Sequence, residues 1–139
     1  MPVTYDYDPE SNMMWTRFWG DVTNQELIDQ ALAVARDPRI KPGARELADF
    51  SDVEQAQILP DTLEQLVTID CNSKDAYGVL WTAIVAPTDF SFGMARMFEA
   101  LSESSGSPAK VRAFRTREAA KSWLSGLPRT LHARVAAHE

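Results

Sequence analysis

The chain has a single cysteine, Cys71, so it cannot close an internal disulfide, which points to a reducing compartment. In its helical setting Cys71 reads as a small packing residue. Only two histidines are present, His132 and His138, and both lie in an expected tail where a preorganised catalytic base has no support. There is no Gly-rich phosphate loop, no nucleophile elbow, and no paired Cys or His at metal-ligand spacing. The longest apolar stretch, Val79 to Ala86, is interrupted by Thr82. It falls far below the roughly 20 residues of a membrane helix, so no membrane span is expected. The opening Met1-Pro2-Val3-Thr4-Tyr5-Asp6 lacks the basic and apolar segments of a secretory signal, and the expectation is a cytoplasmic protein.

An excess of positive charge is also missing. Net charge is −6, which does not attract phosphate backbones, and no nucleic-acid partner is expected. The charge is unevenly spread. Met1 to Ala109 carries seven basic and eighteen acidic residues, whereas Lys110 to Glu139 carries seven and two. Lys110, Arg112, Arg115, Arg117 and Lys121 fall close together, and like charges so placed repel unless an acidic surface faces them. That asymmetry points to a protein partner or to self-association.

What is present is the composition of a globular domain, with 45% hydrophobic and 24% charged residues in 139. Residues 1–127 read as one α/β domain and residues 128–139 as a C-terminal tail, loosely helical or disordered. Val3, Tyr5 and Tyr7 alternate with polar residues, and Asp8-Pro9-Glu10-Ser11-Asn12 turns the chain into a second strand-like run from Met13 to Trp19. These runs make an antiparallel hairpin. Thr23 and Glu26 form a capping box, with Val22 and Leu27 as a hydrophobic staple, so a helix starts at Asn24 and stops at Asp37-Pro38.

Arg45 to Phe50 reads as a short strand ending in a polar Ser51-Asp52 turn. Asp61 with Glu64 caps a second helix that turns Leu63, Leu66 and Val67 inward. Val79 to Ala86 is too uniformly apolar for a half-exposed strand and reads as the central parallel strand, buried on both faces. A third helix carries Phe90, Met94, Met97, Phe98 and Leu101 as an apolar stripe for the core. Lys110 to Arg115 makes a last strand, and Thr116 caps a helix with Ala120, Trp123, Leu124 and Leu127 inward. The alternation predicts an α/β fold with a mixed, mostly parallel sheet of about five strands.

Three places resemble the SpoIIAA-like domains, relatives of the STAS domain of sulphate transporters and anti-sigma-factor antagonists. Trp19-Gly20-Asp21-Val22-Thr23 with Glu26-Leu27 resembles that family's strand end and capped first helix. Leu47-Ala48-Asp49-Phe50-Ser51-Asp52-Val53 is similar to its third strand with an Asp-containing turn. Ala83 to Ala86, Phe92 to Arg96 and Ala119 to Leu124 resemble its closing half. The resemblance, to a bacterial member, implies a binding or regulatory module. In one branch a serine opening the second helix is phosphorylated; the nearest position here is Asp61-Thr62-Leu63, without the family's second Ser and Gly, which leaves Thr62 as the candidate phosphosite.

In an open parallel sheet ligands bind beyond the carboxyl ends of the strands. Those ends bring Asp49, Ser51 and Asp52 toward Thr88, Asp89, Arg115 and Thr116, the candidate ligand or partner site. Its carboxylates and hydroxyls could hold Mg²⁺ or position a polar ligand, or they could be helix caps and turn residues. No cofactor or bound metal is implied. The function expected is a non-enzymatic module acting through protein contacts. The alternative is a domain for a small apolar or lipid-like ligand, because Trp15, Trp19, Trp81, Trp123, Phe90 and Phe92 exceed what a small core requires. A carboxylate-based enzyme is a third reading, with no motif behind it.

Overall fold

The computed structural model describes residues 2–72 and 79–127. The expected tail after Leu127, with His132 and His138, lies outside the described residues. Strands β1 (Val3–Asp8) and β2 (Met13–Val22) form the antiparallel hairpin, with Val3 opposite Phe18 and Asp8 opposite Met13. Its turn bends through Asn12 at φ 53°, a left-handed conformation that Asn tolerates better than most residues. Tyr7 Oη donates to Asn12 Oδ1 at 2.7 Å, and Asp8 accepts from Glu10 N and Ser11 Oγ.

Helix α1 (Asn24–Ala35) begins at the Thr23–Glu26 capping box, with both reciprocal hydrogen bonds formed. Strand β3 (Ala44–Ala56), helix α2 (Pro60–Asn72), strand β4 (Val79–Val85), helix α3 (Asp89–Ser104), strand β5 (Lys110–Phe114) and helix α4 (Arg117–Ser125) follow. The sheet order is β1-β2-β3-β4-β5, with every pairing after the hairpin parallel, so the fold is a mixed, mostly parallel α/β sheet.

Strand alternation divides the core in two. On one face Phe18, Ala48, Ile84 and Ala113 meet Leu27 of α1, Leu66 of α2, and Phe92, Ala95 and Phe98 of α3. On the other, Met13, Leu47, Trp81, Ala83 and Val85 meet Ala120 and Leu124 of α4. Helices α1, α2 and α3, each a crossover between successive parallel strands, therefore share one face, and α4 takes the opposite one. Buried Arg45 ties α4 down by donating Nη1 to the Leu124 carbonyl at 3.1 Å.

Five local expectations change. The middle strand is β3; β4 is interior, buried on both faces, and one place from the edge. Strand β3 runs on through Ser51 and Asp52 to Ala56, because it pairs with β2 beyond the point where β4 ends at Val85. This two-stranded extension is solvated on both sides of its polar residues, so no turn signal is needed to explain them.

Helix α2 starts at Pro60, a residue suited to the first helical position, and Asp61 is inside the helix, not its cap. Asn24 of α1 takes over the capping work: its Oδ1 accepts from Leu59 N at 3.0 Å and from Thr62 Oγ1 at 2.6 Å. In α3 the N-cap is Thr88, with Asp89 the first helical residue. The helix is also rotated from its expected stripe. Ala95 and Ser102 are its buried residues, while Phe90 and Met97 are 57% and 41% exposed.

Candidate functional site

The site begins with small side chains. Ala31 on α1, Ala48 and Ala56 on β3, Ala95 on α3 and Ala109 line a space between the sheet and helices α1–α3 that larger residues would fill. Phe18 and Phe50, stacked at 4.2 Å with planes 14° apart, and Ile84 make its sheet-side wall. Leu27, Leu63, Leu66, Met94 and Phe98 close it from the helices, and exposed Phe90 stands at its edge. The cavity measures about 170 Å³, slightly more than the roughly 150 Å³ at which an apolar cavity admits benzene.

Its walls are apolar apart from Gln30, Glu46, Asp70, Thr82 and Ser91. Glu46 of β3 sits in register with Thr82 of β4. Thr16 Oγ1 donates to Glu46 Oε2 at 2.6 Å and Thr82 Oγ1 to Oε1 at 3.2 Å. Burial pushes the Glu46 carboxyl up, and these two hydroxyls oppose the rise only in part. Asp70, near the C-terminus of α2, is pushed up to about 7, first by burial and then by the Glu46 charge. Among the described residues it has no hydrogen bond to lower it again. Gln30 of α1 also lines the cavity, and its Nε2 is buried with no partner among the described residues. Buried polar atoms are nearly always paired, so unpaired ones at a cavity wall mark where a bound molecule would be recognised.

The residues singled out from sequence lie elsewhere, near the carboxyl ends of the strands, and they meet in small separate groups. Asp49 is on the α4 side of β3; its Oδ1 accepts from Ser51 N at 2.9 Å, and Arg117 at the start of α4 hydrogen-bonds its Oδ2. Burial raises the Asp49 carboxyl, but Ser51 and Arg117 outweigh it and hold the group below the usual range. Asp52 pairs with Arg17 at 3.0 Å, and Asp89 with Arg115 at 2.7 Å. Thr88 and Thr116 cap α3 and α4 through Ser91 N and Ala119 N. Among the described residues no three His, Cys, Asp or Glu side chains gather as a metal site, so the Mg²⁺ arrangement does not form there. Thr62 is buried at 4% exposure, with its hydroxyl given to Asn24.

The repulsion argued for the basic segment is relieved in part within the chain, since Arg115 and Arg117 meet Asp89 and Asp49 of the acidic body. Of the six aromatic residues expected for an apolar pocket, Phe90 lines the cavity, and its other aromatic residues are Phe18, Phe50 and Phe98. None of the four tryptophans lines it; Trp81 packs against α4, and Trp15 is 43% exposed on β2.

Glu46, Asp70 and Gln30 were missed, yet a signal for the acids exists. Glu46 has the strand parity of Ala48 and Phe50, and Asp70 continues the inward helical spacing of Leu63, Leu66 and Val67. A carboxylate on an otherwise apolar stripe is the mark to look for.

No helix among the described residues is long and apolar enough to cross a membrane. No known family profile matches the chain, and no curated protein does. Among solved structures it is similar to the crystal structure of an uncharacterised DUF3478-family protein with a SpoIIAA-like fold from Shewanella loihica PV-4. The two share 13% identity with a TM-score of 0.51, over 88% of this chain and 93% of that one. Identity that low speaks to architecture alone. The five-stranded mixed sheet, its helix placement and this similarity together show that the chain has the SpoIIAA-like fold.

Proposed function

We propose that the chain is a binding module that holds a small, largely apolar molecule in the cavity between its sheet and helices α1–α3, and that ligand occupancy is the signal it passes on. The observation that supports this reading is the cavity itself: about 170 Å³, walled by aromatic and aliphatic side chains, with a few polar groups among them. That is the general build of a small-molecule site. Residues 2–127 act as one domain in this reading, because the sheet and all four helices share the two cores that enclose the site.

The test is calorimetric titration of the full chain with propylbenzene, beside an Ala31→Leu variant that fills the cavity from the half-buried face of α1. Saturable binding by the native chain, lost in the variant at unchanged thermal stability, is the expected result. No binding of propylbenzene by the native chain refutes the reading.

A protein partner or a second copy is the other reading, and one observation favours it. Leu59 and Phe90, at the starts of α2 and α3, are 56% and 57% exposed. Large apolar side chains standing in solvent beside a cavity mouth suit a partner that senses whether the cavity is filled.

A further inference from the structure

Among the described residues, every ionisable group in the lining is an acid. Sheet and helices contribute Glu46 from β3 and Asp70 from α2; the lining residues of α1 and α3 carry no charge. The two acids feel one another, since Glu46 is one of the causes that raise Asp70. A carboxylate accepts about four hydrogen bonds. Glu46 receives two, from Thr16 and Thr82, and Asp70 receives none among the described residues. On α1, half-buried Gln30 also lines the cavity; its Nε2 is a donor with no partner among the described residues and adds nothing to the acceptors. The acidic end is thus not a closed network that merely holds the fold together. It has acceptor capacity to spare and faces open volume.

The chemistry of the occupant follows by comparing what each kind of molecule would leave behind. A pure hydrocarbon fills the apolar walls but leaves Asp70 unpaired, a costly condition for a buried carboxylate. An anionic molecule adds a like charge to two already coupled acids. An ammonium brings three donors and a compensating charge to the same place, and its own desolvation is offset because two carboxylates face it.

We propose that the cavity takes a primary amine on a short aryl or alkyl body, the body lying among Phe18, Phe50, Ile84 and Met94 and the ammonium held by Glu46 and Asp70. This rests on the apolar-ligand reading above and narrows it to one class. The titration of Asp70 near neutrality adds a signature: an amine that stays protonated binds more tightly as Asp70 loses its proton, whereas a hydrocarbon of the same shape gains nothing from that ionisation.

Three probes that share a phenylethyl body separate the possibilities: 2-phenylethylamine, propylbenzene and 3-phenylpropionate, each titrated into the full chain at pH 6 and pH 8. The amine is expected to bind at least tenfold more tightly than propylbenzene at pH 8, to lose part of that advantage at pH 6, and to outbind the carboxylate at both. Asp70→Asn, which removes the charge and keeps the side chain's shape, should abolish the amine's advantage over propylbenzene at pH 8 and the pH dependence of that advantage. Propylbenzene binding with no preference for the amine overturns this inference and leaves the apolar site standing. An amine preference that survives Asp70→Asn overturns it too. If none of the three binds, the apolar-ligand reading itself fails.

Discussion

Replacing Asp70 by Asn removes an ionisation at the cavity end while leaving the side chain's shape almost unchanged. In the folded chain burial and the Glu46 charge move this carboxyl from 3.8 to about 7. A raised acid is protonated in both states at pH below 4, where it costs nothing. Between about 4 and 7 the unfolded chain releases the proton while the folded chain keeps it, so stability falls as pH rises; above 7 the penalty is complete. At about 1.36 kcal/mol per pH unit the full penalty is roughly 4 kcal/mol. The amide is not free of cost, since burying it without a partner takes back about 1–3 kcal/mol. The net expectation is that Asp70→Asn stabilises the chain by roughly 1–3 kcal/mol at pH 8 and is neutral or destabilising at pH 4.5. Urea unfolding of both proteins at pH 4.5, 6 and 8 measures this, read as the difference at each pH, because groups common to both cancel. A difference independent of pH, or a native chain more strongly favoured over the variant at pH 8 than at pH 4.5, would refute the burial argument.

Asp49 behaves in the opposite sense: its carboxyl is held below the ordinary range, so the stability it confers is present above pH 4 and lost as pH falls further. Arg117→Ala, which leaves that buried carboxylate to Ser51 alone, should cost about 1–3 kcal/mol at pH 7, and the cost should shrink as the carboxyl takes up its proton in acid, by urea unfolding. Thr62→Val removes the hydroxyl given to Asn24 and should cost about 1 kcal/mol, while Asn24→Ala, which also strips the acceptor from Leu59 N, should cost more. Phe90→Ser, at a 57% exposed position, should change stability by less than about 0.5 kcal/mol yet weaken propylbenzene binding in the calorimeter. If self-association uses the basic segment, light scattering at 0.1 M salt will show assemblies that dissociate at 1 M, where the Debye length drops from about 10 Å to about 3 Å; a monomer at both leaves that segment as ordinary surface.

The sequence by itself determined what is decided over a few residues. The Thr23–Glu26 capping box and the Thr116 cap are contacts three residues long, legible because both partners lie in one short stretch. The apolar run Trp81 to Val85 had to be interior wherever the sheet placed it, and the inward stripe of α4 through Ala120 and Leu124 follows from helical period alone. Tertiary structure decided whatever depends on partners far along the chain. Helix α2 takes its cap from Asn24, more than thirty residues away, so Asp61 beside it was a misleading local signal. Strand β3 continues past Asp49 because β2 is there to pair with it, and polar residues are tolerated where β4 no longer covers them. The rotation of α3 was set by the sheet it lies on, which chose Ala95 and Ser102 over Phe90 and Met97. The candidate site is the clearest case. Glu46 and Asp70 become unusual only when β3 and α2 close the same volume, because burial and mutual repulsion are properties of the assembled space and not of either residue's neighbours in sequence.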